Sequence, residues 1–126
     1  MDEMSVTCSY CGDEALLVDG SSIYPHRSDL KDKHFWACFV CEAWVGVHPG
    51  TDNPLGTLAR ADLRNRRHRC HVIFDQLQKK AGGSRREIYT WLAACMEIDM
   101  GICHFGMFDE TLCELALQIM EEHLRG

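Results

Sequence analysis

The sequence predicts an α+β protein in which a region of short strands precedes a bundle of about three helices. Short apolar runs separated by turn residues occupy the first 50 residues, which is typical of small antiparallel hairpins. After residue 57 the apolar side chains recur at helical spacing instead. "TDNPLG", residues 51–56, separates the two patterns. We therefore expect one region over residues 1–50 and a helical region over residues 51–126, folding as one cooperative unit.

The composition indicates a folded protein of the cytosol. Of 126 residues, 46% are apolar and 25% are charged, so disorder is not expected. No apolar run approaches the roughly 20 residues that span a bilayer. The first residues, "MDEMSVTC", are acidic and have neither the basic nor the apolar region of a signal peptide. We expect a cytosolic location and no membrane partner.

Two pairs of cysteines have the spacing of a metal site. The chain contains eight cysteines, and in a reducing compartment paired cysteines are metal ligands or reactive thiols more often than disulfides. "CSYCG" (8–12) and "CFVC" (38–41) repeat the same CxxC spacing. Four such thiolates bind zinc tetrahedrally. The predicted ligands of one zinc ion are Cys8, Cys11, Cys38 and Cys41.

Short strands around these cysteines predict a zinc ribbon at residues 1–50. The predicted strands are 15–19, 21–24, 34–38 and 43–48, with "DG" at 19–20 as a hairpin turn. Gly12 follows the first CxxC, where a turn needs a freely rotating backbone, whereas Glu42 follows the second. Since four thiolates leave no open position, we expect the zinc to be structural and without a catalytic role.

Three other interpretations of the cysteines compete with structural zinc. A thioredoxin-like pair would require a βαβ context, which the sequence lacks. An iron–sulfur centre fits the ligands but is rarer in this architecture. A zinc-containing HNH nuclease also has two CxxC pairs with histidines between them, and His26 and His34 occupy such positions. The sequence has no Asp-His pair and no downstream Asn on a helix, so the nuclease ranks below structural zinc.

The second region has clear helix signals. Thr57 is the predicted N-cap of a long helix that ends near Lys80. "SRRE" (84–87) is a capping box for a second helix, and Asp109 is expected to cap a third. Apolar side chains recur on one face of each helix. The inward-facing residues are predicted to be Ala59, Leu63, Cys70, Phe74, Leu77, Ile88, Trp91, Leu92, Cys95, Leu112, Leu115, Ala116 and Ile119.

Basic residues concentrate on the long helix. Residues 60–86 hold nine of the thirteen Lys and Arg residues, and residues 87–126 hold eight acidic residues and only Arg125. A stripe spaced four, three and four residues apart consists of Arg60, Arg64, Arg67 and His71. This stripe fits contact with a nucleic-acid backbone. It equally fits a solvated face that pairs with the acidic C-terminal helix, within the chain or across a homodimer. Candidate stacking residues are Tyr10, Phe35, Trp36, Phe39 and Trp44, although most suit the ribbon core.

A second metal site is conceivable but disfavoured. Cys103, His104 and Cys113 could bind a metal, with Cys70, His71 or Cys95 as further candidates. The spacing of these residues matches no familiar site, and free cysteine usually behaves as a small buried apolar residue. His71 and Asp75, four residues apart on one helix, are interpreted as a structural hydrogen-bonded pair.

Several segments together resemble a known family over nearly the whole chain. The segments are "CSYCG", "IYPHRSDL", "FWACFVCEAWVGVHPGTDNPLGTLA", "HVIFDQL", "YTWLA" and "CHFGMFD". The chain resembles a zinc-finger-containing family of unknown function that is common in phages, prophages and bacterial genomes. The resemblance implies that Cys8, Cys11, Cys38 and Cys41 bind zinc. It also implies a small phage-type accessory protein of the bacterial cytosol, and it names no reaction.

The leading functional hypothesis is a non-enzymatic binding module whose partner is a nucleic acid or a nucleoprotein complex. A second hypothesis is a phage-encoded inhibitor that binds a host protein, such as a defence effector, through its acidic C-terminal face. A zinc-containing nuclease is third. The sequence shows no nucleophile, base and orienting group in combination, so we expect no catalysis.

Overall fold

The computed structural model describes residues 4–126, so residues 1–3 of the acidic N-terminal stretch lie outside the described part of the chain. The fold is α+β, as predicted, and divides into two compact units, Met1–Ala61 and Asp62–Gly126. The first unit includes residues 51–61, which the sequence pattern places in the helical region. The reason is that Ala59 pairs with Trp44 through two backbone hydrogen bonds of 3.1 Å.

The first unit is built on a three-stranded antiparallel sheet. Its strands are β1 (Leu16–Asp19), β2 (His34–Cys38) and β3 (Ala43–Gly46), in the order β1-β2-β3. Isolated antiparallel bridges join Thr7 to Glu14, Trp44 to Ala59 and Val47 to Pro54. β2 and β3 form the hairpin that the sequence predicts around the second CxxC.

The predicted strand 21–24 is wrong, because this segment starts a helix. Gly20–Ile23 form a single helical turn, α1, whose N-cap Asp19 accepts hydrogen bonds from the backbone N–H groups of Ser21 and Ser22. β1 therefore pairs with β2, and not with residues 21–24. "DG" at 19–20 is therefore a helix cap followed by a buried glycine, and not a hairpin turn.

One face of the sheet forms the core of the first unit. Trp36 and Val45 pair across β2 and β3 on that face. The buried core consists of Cys8, Ala15, Trp36, Cys38, Ala43, Val45 and Leu58. On the opposite face, Phe35 pairs with Gly46, and Tyr24 packs edge-on against Phe35 with 5.7 Å between ring centroids.

The second unit contains three helices. They are α2 (Ala61–Ala81), α3 (Arg85–Met96) and α4 (Glu110–Arg125). Two 3-10 turns, Met100–Ile102 and Phe105–Met107, lie between α3 and α4. The predicted N-cap at Thr57 is wrong: α2 starts four residues later, because Ala59 is engaged in extended pairing with Trp44.

The other helix boundaries agree with the sequence signals. Ser84 Oγ accepts the backbone N–H of Glu87 at 3.1 Å, and Asp109 Oδ1 accepts that of Leu112 at 2.9 Å. Gly82, with φ of +75°, follows the end of α2. Within residues 4–126, none of the helices combines the length and apolarity that a bilayer crossing requires.

Most of the predicted inward-facing positions are buried, with two clear exceptions. Leu63, Cys70, Phe74 and Leu77 are buried on α2, and Cys113 and Ala116 on α4, as predicted. Cys95 and Leu115 are exposed, so those two predictions are wrong. The buried positions on α4 are Cys113, Ala116, Leu117 and Met120. The buried face of this helix is therefore rotated slightly from the predicted face.

Candidate metal centre

The fold brings the two CxxC pairs together in the first unit. Cys8 and Cys11 lie in the turn between the bridged residues Thr7 and Glu14, while Cys38 ends β2 and Cys41 lies in the β2–β3 turn. The four Sγ atoms all lie within 4.8 Å of one another. Cys11 Sγ and Cys38 Sγ are 3.8 Å apart. A tetrahedral zinc with Zn–S bonds of about 2.3 Å has S–S edges of roughly 3.8 Å. The geometry therefore fits zinc.

Each knuckle contains a residue in the left-handed backbone region directly after its second cysteine. Gly12 has φ of +81° and Glu42 has φ of +55°. In the first knuckle the backbone N–H of Gly12 donates to Cys8 O at 2.9 Å, and that of Tyr10 donates to Cys8 Sγ at 3.4 Å. Glu42 thus adopts the conformation that the first knuckle assigns to glycine, at a cost that glycine would avoid.

The crowding of four thiols explains why the site needs a cation. Burial and the neighbouring thiols of Cys11, Cys38 and Cys8 raise the pKa of Cys41 to about 12. Four thiolates at such distances repel one another, and a divalent ion compensates that repulsion. Zinc ligation and deprotonation of the cysteines are therefore coupled.

The four cysteines supply a complete zinc coordination shell. With four protein thiolates, no position remains for water or substrate, so Cys8, Cys11, Cys38 and Cys41 hold one structural zinc. The ion joins two knuckles that lie 26 residues apart in the chain, between Cys11 and Cys38. Among residues 4–126, this is the one group of three or more His, Cys, Asp or Glu side chains close enough to share a metal.

The histidines that suggested a nuclease do not join the zinc site. His26 is exposed, and His34 Nδ1 lies 3.4 Å from Asp52 Oδ1 on the loop after β3. The other candidate group is not assembled either. Cys103 and Cys113 are buried, whereas His104 is exposed. Burial raises the pKa of Cys103, which favours an inert thiol.

The basic stripe does not form a continuous exposed row. Arg60 precedes α2; its Nε donates to Cys41 O at 3.1 Å, and its Cζ lies 4.3 Å from the centroid of the Tyr10 ring. Arg67 is only 8% exposed, and its Nε donates to Phe108 O at 3.0 Å. The burial of Arg67 withdraws it from any surface that could follow a phosphate backbone.

His71, the last residue of the stripe, packs against an aromatic ring. Its imidazole lies edge-on to Phe105 with 4.9 Å between centroids. The residue is exposed overall, but partial desolvation of the ring, reinforced by the nearby Arg85, lowers its pKa. The carboxylate of Asp75 pairs with Arg85 at 3.1 Å. Asp75 therefore uses Arg85 as its hydrogen-bonding partner, where the sequence suggested His71.

Two arginines outside the stripe form close ion pairs with carboxylates of α4. Arg66 Nε lies 2.9 Å from Glu114 Oε1, and Arg69 Nη2 lies 2.8 Å from Glu121 Oε1. Arg66 Nη1 also lies 3.7 Å from Glu110 Oε2 and 3.7 Å from Asp62 Oδ2. The signal for these pairs was the spacing of the acidic residues on α4, since positions 110, 114 and 121 share one helical face.

The fold and its metal centre define a zinc finger of the ribbon type. The family model of a zinc-finger-containing domain, DUF3268, matches residues 4–123, and the chain belongs to this family. The resemblance to a zinc-finger-containing family is thereby confirmed. No curated protein and no solved structure matches the chain.

Proposed function

We propose that this protein is a non-enzymatic interaction module of phage or prophage type, in which zinc holds the ribbon and the partner is a protein. The closed coordination shell supports the non-enzymatic part of the proposal. All four positions around the ion are occupied by cysteine thiolates, so the metal has no site at which to polarise a substrate or activate water.

The distribution of charged residues favours a protein over a nucleic acid as the partner. Arg66 and Arg69 pair with carboxylates of α4, and Arg67 is buried. In residues 1–61, nine acidic residues stand against four basic ones. A zinc ion with four thiolates contributes a further formal charge of about −2. A ribbon of this charge repels a phosphate backbone, so a nucleic-acid partner has weak electrostatic support.

Exposed apolar side chains on the ribbon support protein contact. Val40 is 90% exposed and Phe39 is 50% exposed at the tip of the second knuckle, between the two zinc ligands Cys38 and Cys41. Leu16, on β1, is 60% exposed. The zinc ligands fix the backbone on both sides of Phe39 and Val40. Rigid apolar side chains bind a protein surface with little loss of conformational entropy.

The family resemblance favours a host protein as that partner. A phage-type protein without catalytic groups acts by occupying a surface of its target, and an inhibitor of a host defence protein is one such role. Nucleic acid or a nucleoprotein complex is the competing proposal. It would rely on Arg60 and Arg64, the two arginines of the stripe that are not buried.

The test is affinity capture from bacterial lysate, with and without nuclease treatment. We expect one protein to remain bound after nuclease treatment, and to be lost from the variant carrying Phe39→Ser and Val40→Ser. Val72→Ser is the matched control, since Val72 is an exposed apolar residue of the second unit. A titration of the two purified proteins against each other then tests whether they bind directly, without other components of the lysate as a bridge.

Two results would contradict the proposal. The first is capture that disappears with nuclease, together with binding of a labelled oligonucleotide whose log–log salt slope is roughly −1.4 to −1.8, as for two phosphate contacts. The second is cleavage of DNA or RNA in the presence of Mg²⁺ or Mn²⁺. Cleavage that vanishes in His26→Ala or His34→Ala would establish the nuclease alternative.

A further inference from the structure

An open groove of about 810 Å³ lies entirely within the first unit, on the face of the sheet opposite the core. Ligand sites usually have volumes of 300–1,000 Å³ and mainly apolar walls. The groove has walls of this kind, since Tyr24, Phe35, Val47 and Leu55 line it. It is separate from the zinc site, because none of the four cysteines lines it.

A glycine faces an aromatic residue across the sheet in the wall of the groove. Gly46 on β3 pairs with Phe35 on β2, and no side chain from Gly46 fills the space beside the ring. A methyl group at position 46 would lie 3.4 Å from Leu55 Cδ1 and 3.7 Å from Phe35 Cε1. Tyr24 closes one side by packing edge-on against Phe35, while Leu55 remains 50% exposed.

The charged groups around the groove balance one another. Among the lining residues, the charges of Arg27 and Lys33 are matched by those of Asp32 and Asp52. His34 and His48 also line the groove, and His34 Nδ1 lies 3.4 Å from Asp52 Oδ1. The guanidinium of Arg27 is already engaged with Asp29, at 2.8 and 2.9 Å. A neutral rim on a unit with an excess of acidic residues does not attract a nucleotide or another polyanion. It suits an uncharged side chain.

We infer that this groove receives an uncharged aromatic side chain of the partner protein. The inference rests on the proposed function and names the anchor that the partner contributes. Aromatic rings prefer edge-to-face contacts at centroid distances of about 4.5–7 Å, and the rings of Tyr24 and Phe35 already adopt that geometry. Aromatic anchors in preformed pockets are frequent centres of binding energy in protein interfaces.

Two tryptophans report on the groove, and a third serves as an internal control. Trp36 Nε1 donates to Asp52 O at 2.7 Å, and Trp44 Nε1 donates to Tyr24 Oη at 3.0 Å. Asp52 and Tyr24 both line the groove, so a bound ring changes the surroundings of these two indole N–H groups. Trp91 lies on α3 of the second unit, outside the groove lining.

The test is a titration of the ¹⁵N-labelled, zinc-loaded protein with N-acetylphenylalanine amide, followed by ¹H–¹⁵N NMR. We expect saturable shifts of the Trp36 and Trp44 indole signals at millimolar concentrations, with the Trp91 signal unchanged. N-acetylglutamine amide and adenosine monophosphate are the matched probes. Both should leave the three indole signals unchanged.

A groove-filling variant makes the test specific. Gly46→Val places methyl groups between Leu55 and Phe35, and Gly46→Ala is the milder version that needs no backbone movement, since its Cβ contacts begin at 3.4 Å. We expect both variants to fold, to retain zinc and to bind the phenylalanine probe more weakly than the natural chain. Val72→Ala, which alters an exposed apolar residue outside the groove lining, should bind as the natural chain does.

Three outcomes would overturn the inference: no indole shift up to the solubility of the probe, equal binding by Gly46→Ala and the natural chain, or stronger binding of adenosine monophosphate. If the groove does not bind an aromatic side chain, the proposed function can still be tested separately. A partner that is captured after nuclease treatment, and that the Gly46 variants bind equally well, would show that the protein partner exists and uses another surface.

Discussion

The Nε atom of Arg66 on α2 lies 2.9 Å from the Oε1 atom of Glu114 on α4. Asp62 and Glu110 lie within 3.7 Å of the same guanidinium, so one arginine serves three carboxylates. The side chain-to-carboxylate hydrogen bond, aided by these neighbouring charges, raises the pKa of Arg66 and keeps it charged. The basic helix and the acidic helix of the second unit are thus complementary, and the charge segregation in the sequence has a structural explanation.

Arg66→Gln should lower the melting temperature at low ionic strength. The ion pairs are exposed, so most of the effect should disappear in 1 M NaCl, where the Debye length is about 3 Å. Arg86→Gln is the control, because Arg86 makes no ion pair within residues 4–126. Thermal melts at both salt concentrations check this. Equal effects of the two substitutions would contradict the assigned role of Arg66.

Arg67→Met should destabilise the second unit more than an exposed substitution does. Arg67 is buried and donates to the carbonyl of Phe108, and loss of that donor leaves a buried acceptor unsatisfied at a cost of about 1–3 kcal/mol. Lys79→Met on the same helix is the control, since Lys79 is exposed. Urea unfolding measures both free energies. A stable Arg67→Met variant with weakened oligonucleotide binding would instead favour the nucleic-acid hypothesis.

Glu42→Gly should stabilise the second zinc knuckle. The left-handed conformation at φ of +55° strains a residue that has a Cβ, and glycine removes that strain. We expect the free energy of unfolding to rise by about 1 kcal/mol. The greater conformational freedom of glycine in the unfolded chain reduces this increase. The reciprocal substitution, Gly12→Ala, should lower the free energy of unfolding by a similar amount. Backbone strain alone would cause this, because the new Cβ meets no atom within 4 Å. Thermal melts of the zinc-loaded proteins would refute this account if both variants shifted in the same direction.

Gly20→Ala should destabilise the first unit strongly. A Cβ at Gly20 would overlap the carbonyl oxygen of Leu30, which ends the 3-10 turn Ser28–Leu30, so α1 and this turn would have to separate. We expect a loss of roughly 1–3 kcal/mol or more, as for other overpacked sites. Gly46→Ala is the control, whose Cβ contacts are ordinary. Chemical denaturation of the two variants should give clearly different midpoints, and similar midpoints would exclude a packing role for Gly20.

The parts of the fold that the sequence predicted are those with a local signal. Ser84, Gly82 and Asp109 mark helix ends through hydrogen bonds or backbone conformations that involve only near neighbours. The zinc ligands were predictable for a similar reason, since the CxxC spacing lets a single turn place two thiolates on one ion. The repeated spacing at Cys8 and Cys38 identified both turns.

The parts that the sequence did not predict depend on distant contacts. Thr57 has the composition of an N-cap, but pairing of Ala59 with Trp44 keeps the chain extended and delays α2 to Ala61. "DG" at 19–20 fits a hairpin, yet Gly20 is required by its contact with Leu30. Burial of Arg67 likewise depends on the carbonyl of Phe108, 41 residues further along the chain. Local patterns contain no information on these contacts.

The zinc content of the purified chain tests the central claim most directly. Metal analysis, with Cys38→Ser and the exposed Cys95→Ser as variant and control, should find one zinc per chain in the natural protein and in Cys95→Ser. Cys38→Ser should lose the zinc and the folded ribbon with it, because structural zinc supplies folding energy directly. A natural chain that is fully folded without zinc, or one that holds two zinc ions, would contradict the account.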